Sequence, residues 1–234
     1  MNDPLGWLFS AELHIGDSAI LWREIIGNLF GLLSALGGMR RRVWAWPVGI
    51  VGNVLLFTVF LGAVFDTPGE ENLYGQAGRQ VFFVAVSVWG WYRWKQARDV
   101  GGAGGGAAIR PRWATTKERL LLLGLYAVGT VVLSYVLRAL DSFGPWTEAW
   151  ILTGSILATW GMARGWVEFW LVWIAVDAVG VPSLLTADPY PFYPSAALYG
   201  FYGLFCVVGF VTWLRAERAE PLDPRGPEVQ QVGA

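Results

Sequence analysis

The chain reads as long apolar runs whose few charges collect at the run edges. A helix crossing a bilayer core needs about 20 mostly apolar residues. Seven runs meet that length, over 20–38, 43–63, 75–94, 118–139, 146–163, 166–185 and 194–215. The pattern predicts an all-α membrane protein with seven transmembrane helices. Residues 1–19 then form an external N-terminal segment, and 95–117, containing "RDVGGAGGGAAIRPRW", a flexible Gly-rich cytoplasmic connector. Residues 216–234, with Pro221, Pro224 and Pro227, read as a disordered cytoplasmic tail.

The first three runs resemble the last three. "WRE" at 22–24 recurs as "WTE" at 146–148, and "GGMRR" at 37–41 as "WGMAR" at 160–164. "WPVGIVGN" at 46–53 aligns with "WLVWIAVD" at 170–177, "LYGQA" at 73–77 with "FYPSA" at 192–196, and "GWYRW" at 90–94 with "GFVTW" at 209–213. The fourth run, 118–139, has no counterpart and reads as a linker helix that restores orientation. The expected architecture is therefore two parallel three-helix repeats, 20–94 and 146–215, in a 3+1+3 order. Parallel repeats of this kind are a transporter architecture, with the substrate site near the midplane between them.

Composition fits: 55% of residues are hydrophobic and only 15% charged, with mean hydropathy +0.44, against about a quarter charged in soluble domains. A net charge of −1 gives no basic field for nucleic acid. The 17 basic residues divide by predicted side as fourteen against three, Arg23, Arg79 and Arg138 being the three. That asymmetry places the N-terminus outside and the C-terminus in the cytoplasm. The opening residues lack a basic stretch before an apolar core, so no cleavable signal is expected. The single cysteine, Cys206, excludes an internal disulfide or thiolate metal site, and the single histidine, His14, argues against a histidine cluster.

The candidate chemistry lies inside the apolar runs. Asp177 stands eleven residues beyond Trp166, about 16 Å into a hydrocarbon core of about 30 Å. A carboxylate at that depth costs at least a few kcal/mol and ordinarily faces a cavity or a partner. Its repeat partner is Asn53. Two stripes surround them, Trp46, Gly49, Asn53 and Trp170, Trp173, Asp177, with Gly49 leaving room opposite the Trp173 indole. Gln80, Phe83 and Ser87 correspond to Tyr199, Tyr202 and Cys206, and Asn28 lies near mid-depth in the first run. Aromatic faces beside amides and hydroxyls suit a flat polar ring. Trp46 is as well placed for an interfacial belt as for a cavity wall, Asn53 and Gln80 could instead join helices, and Gly27 with Gly31 reads as a helix-packing GxxxG.

The segments "WPVGIVGN", "LYGQAGRQ" (73–80), "GWYRWK" (90–95) and "VEFWLVWIAVD" (167–177) together resemble the PnuC family of bacterial vitamin transporters, from Trp22 to Arg215. The resemblance implies a seven-helix fold like that of the SWEET sugar transporters. It also implies facilitated diffusion across the cell membrane, with the vitamin trapped by a cytoplasmic kinase. It places Trp170, Trp173, Asp177 and Gln80 at the substrate site. Members carry nicotinamide riboside, thiamine or riboflavin; the wording "ARGWVEFWLVWIAVDAVGVP" is similar to the riboflavin branch, while Asp177 would also suit a cationic vitamin. No cofactor is implied, and a homo-oligomer is compatible with the sequence.

Other classes fare worse. A retinal photoreceptor needs a lysine in its last helix, and neither Lys95 nor Lys117 lies within a predicted span core. An intramembrane enzyme lacks a histidine or Ser–Lys pair beside the isolated Asp177. A structural or assembly protein would leave Asp177 and the repeat unexplained, and would show no saturable uptake.

Overall fold

A computed structural model describes residues 12–15, 18–61, 64–65, 74–100, 106–140, 144–186 and 193–219. Among these residues the chain forms seven helices: α1 Trp22–Met39, α2 Ala45–Phe60, α3 Tyr74–Asp99, α4 Thr116–Ala139, α5 Pro145–Ala163, α6 Phe169–Leu185 and α7 Tyr193–Ala219. Each matches one predicted run. Two strands that the apolar pattern did not announce, β1 Glu12–Ile15 and β2 Ser18–Leu21, precede α1 as an antiparallel pair with Ile15 opposite Ser18.

The chain divides into two compact units, 1–96 and 97–234, so α4 groups with the second. In the first, α1 and α2 cross with their backbones nearly touching. A methyl group on Gly52 would lie 2.8 Å from the Gly27 carbonyl oxygen, and one on Gly27 2.9 Å from Leu56 Cγ. Gly27 thus serves the helix packing expected of it. In the second unit α4, α5 and α6 share a core of Leu122, Tyr126, Leu157, Ala158, Trp166 and Val172.

Helix α4 is long and apolar enough to cross a membrane, with mean hydropathy 2.2 in its best 18-residue window. Its other face carries Leu120, Leu123, Val128 and Tyr135 exposed, the surface a hydrocarbon solvent would cover. Helices α2 and α6 are strongly apolar but shorter, at 16 and 17 residues, about 24–26 Å at 1.5 Å per residue.

The turns α1–α2 and α5–α6 repeat almost bond for bond. In the first, Arg42 N–H donates to Gly37 O at 2.9 Å, Arg41 N–H to Gly38 O at 2.9 Å and Arg40 N–H to Leu36 O at 3.2 Å. In the second, Trp166 N–H donates to Gly161 O at 3.0 Å, Gly165 N–H to Met162 O at 3.0 Å and Arg164 N–H to Trp160 O at 3.1 Å. Both are helix ends closed by a left-handed residue, Arg41 at φ 56° and Gly165 at φ 74°. This pairing sets Gly37 against Gly161. It corrects the match of "GGMRR" to "WGMAR", which was one residue out of register because the left-handed position, not the methionine, has to coincide.

The second half of the connector also departs from expectation. Residues 101–105 lie outside the described residues, but Ala107, Ala108, Pro111 and Ala114 are buried. Arg112 N–H donates to Gly165 O at 3.0 Å, and Arg112 O accepts from Val167 N–H at 2.9 Å, as in a parallel bridge. That stretch is docked on the α5–α6 turn rather than free, because its small apolar residues pack and its backbone pairs. The tail 220–234 and its expected disorder lie outside the described residues.

Candidate functional site

Helix α6 carries the carboxylate. Asp177 is 8% exposed, and its Oδ2 is buried with no hydrogen-bond partner. Opposite stands Gly203 of α7, where an added methyl would lie 3.6 Å from both Cβ and Oδ2 of Asp177. One helical turn beyond Gly203 is Cys206, also buried. The glycine keeps one side of the carboxylate clear of side chain, so an acceptor is held there without a protein donor. Buried acceptors are nearly always satisfied, which makes this position one that a ligand or water can complete.

The indoles divide into two kinds. Trp170 is closed in: its ring lies against Gly209, where a methyl would run into it, and it meets Phe169 at 4.4 Å and Trp213 at 6.3 Å between centroids. Trp46 repeats this in the first unit, lying against Gly90 and meeting Trp94 edge-on at 5.2 Å. All four tryptophans are buried, and each Trp–Gly–Trp set locks the second helix of a hairpin onto the long helix that follows. Neither Trp46, which the sequence leaves between belt and cavity wall, nor Trp170, which it places in the wall, offers an open face for stacking, although both ring N–H groups remain without a partner. Trp173 is only partly buried and, like Trp150 and Trp160, packs against the core that α4, α5 and α6 share. Trp150 in turn donates its ring N–H to Ala175 O at 3.0 Å, tying α5 to α6.

The other candidates scatter. Gln80 is buried and its Oε1 has no partner, and Ser87 one face further along α3 is buried as well. Asn53 is half-buried. Asn28 is exposed and donates to Glu24 O of its own helix at 2.8 Å, so its amide is turned back onto α1. Tyr202 is half-buried, with its ring 6.0 Å from that of Phe201. The side chain of Tyr199 lies outside the described residues. Gly49 does not open space: a methyl there would lie 2.6 Å from Ser34 Oγ, which fills the gap while donating to Ala45 O at 2.7 Å.

Sequence reasoning missed a cluster of charged side chains at the start of α4 and α6. Glu168, 8% exposed, accepts from Ala114 N–H with both oxygens at 3.0 Å and from Arg119 Nε at 2.8 Å. Glu118 accepts from Arg112 at 2.7 and 2.8 Å and from Arg164 at 3.3 Å, and closes a capping box with Thr115. The Thr115-x-x-Glu118 spacing was the available signal; nothing local pointed to Glu168.

A bundle of apolar helices that closes indoles against glycines and holds one buried carboxylate open to completion has the make-up of a membrane transport protein. The chain belongs to the PnuC family, matching the family described as nicotinamide mononucleotide transporter over residues 21–215. It is 37% identical to the riboflavin/roseoflavin transporter RibM of Streptomyces davaonensis over 217 residues, covering 92% of this chain and 95% of that one. It is 25% identical to the nicotinamide riboside transporter PnuC of Escherichia coli over 200 residues, 74% and 78% of the two chains. The crystal structure of the vitamin B3 transporter PnuC shares the fold, at TM-score 0.65 and 20% identity over 92% of this chain and 86% of that one.

Proposed function

We propose that this protein takes up riboflavin by facilitated diffusion across the bacterial cell membrane, with a cytoplasmic kinase trapping the vitamin as its phosphate. The observation that carries the substrate is the 37% identity to a riboflavin/roseoflavin transporter over nearly the full length of both chains. Asp177 then accepts from a ring-edge or ribityl donor, and the partly buried Trp173 supplies apolar ring surface on the same helix. Gln80 and Asn53 are the corresponding polar groups of the first unit, and Tyr199 and Tyr202 those of α7. The helices act as two parallel three-helix repeats joined by α4. The duplicated turns and duplicated Trp–Gly–Trp sets support that reading. The N-terminus faces outward and the C-terminus the cytoplasm, as the basic residues divide.

Nicotinamide riboside is the second reading, favoured by one feature: a cation would find a natural counter-charge in Asp177. Uptake of labelled riboflavin and of labelled nicotinamide riboside, in the corresponding auxotrophic cells, separates the two. Saturable riboflavin uptake is expected, with Trp173→Ala abolishing it at unchanged membrane abundance. Uptake of nicotinamide riboside alone would overturn the substrate; wild-type uptake by Trp173→Ala would overturn the site.

A further inference from the structure

The two repeated turns are alike in backbone and differ at several positions, one of which sets the charge at the foot of the second helix. Where the first carries Trp44, 43% exposed, the second carries Glu168. Both residues immediately precede the second helix of their hairpin and share the same right-handed backbone, φ −63° and ψ −16° for Trp44 against φ −59° and ψ −21° for Glu168. The turn therefore forms without a carboxylate, and the acid at 168 has another use. It joins the foot of α6 to two other parts of the second unit, the docked connector through Ala114 N–H and the first turn of α4 through Arg119. A buried carboxylate is costly to desolvate, and this one is surrounded by donors.

We propose that Glu168 is the positioning residue for the substrate-bearing face of α6, fixing that helix against α4 and the connector so that Asp177 meets Gly203 of α7 in one register. The inference rests on the proposed function for its substrate but not for its mechanics. Helix α6 is short and almost wholly apolar; Trp170 holds it onto α7 and Trp150 ties it to α5, and the charged foot adds the directional bonds to α4 and the connector. Nine residues separate Glu168 from Asp177, about 13 Å of helix, so a small rotation at the foot reaches the carboxylate as a change in what it faces.

Cys206 supplies a readout that needs no substrate. It is the single thiol of the chain, 7% exposed, on the α7 face that meets Asp177. The experiment compares wild type, Glu168→Ala, Glu168→Gln, Arg119→Gln and the Glu168→Gln/Arg119→Gln double variant, all in the full chain. It measures the rate of Cys206 labelling by a water-soluble maleimide, riboflavin uptake kinetics and thermal midpoint. Glu168→Ala is expected to raise the labelling rate and to raise KM by about tenfold with the maximal rate largely kept. Glu168→Gln, which still accepts from Ala114 N–H, should recover most of the loss. Arg119→Gln should match it, and the double variant should be no worse than either single one.

A Glu168 that only supports folding predicts something different: lower abundance and thermal midpoint, with wild-type KM and labelling rate in the protein that remains. That result overturns the proposal. If Glu168→Ala does not accumulate, Arg119→Gln decides by the same two readouts, since it leaves Glu168 bonded to Ala114. If wild type takes up no riboflavin, the substrate reading falls, and the labelling rates alone support or overturn the anchor.

Discussion

Two glycines of α7, six residues apart, have opposite duties. At Gly209 a methyl would run into the Trp170 ring, and at Gly203 it would reach ordinary van der Waals distance of Asp177. Gly209→Ala therefore overpacks a rigid contact and should cost about 1–3 kcal/mol, read as a lower thermal midpoint, and Gly90→Ala should do the same against Trp46. Gly203→Ala should leave the midpoint nearly unchanged while raising the KM for riboflavin, because it covers the open side of a carboxylate. Equal loss of stability at 203 and 209 would show that the Asp177 side is closed. At this scale the burial of Asp177 was legible in the sequence, since an ionisable group deep in an apolar run needs a reason. The sequence pattern makes Trp170 a cavity wall and Trp46 either wall or belt, because spacing along one helix does not reveal which neighbouring helix brings a glycine against the ring. The glycines of "GWYRW" and "GFVTW" held that information on another helix.

At the scale of elements, all seven helices were legible from apolar length alone. Apart from the short β1–β2 pair, what escaped were segments whose order comes from partners distant in sequence. Residues 106–115 look like linker by composition, yet they are held by Gly165, Val167, Glu118 and Glu168. The start of α4 depends on this docking as well as on its own cap. Thr115→Ala removes the side chain that accepts from Glu118 N–H, a loss of about 1 kcal/mol for an N-cap. It also frees Glu118 from one of its partners while Arg112 and Arg164 remain. The expected result is a modest fall in thermal midpoint with uptake kinetics preserved. A collapse of uptake at an unchanged midpoint would instead make the cap part of the transport cycle.

For the whole molecule, the likeness of the two helical turns was legible in outline, and the family followed from motifs spread over most of the chain. The repeat's register at the first turn was not, since glycine and methionine identities matched better one residue away from the geometric equivalence. The second unit also carries more than a copy of the first: α4, the docked connector and the charged foot of α6 all belong to it.

The walled-in tryptophans have an optical consequence. Trp46, Trp94, Trp170 and Trp213 are buried among apolar neighbours, a setting in which indoles emit toward shorter wavelengths than they do in water. A flavin absorbs in that emission range and a nicotinamide ring does not. Exciting the tryptophans of the purified protein should thus light a bound isoalloxazine by energy transfer, so that the colour returned would itself name the cargo.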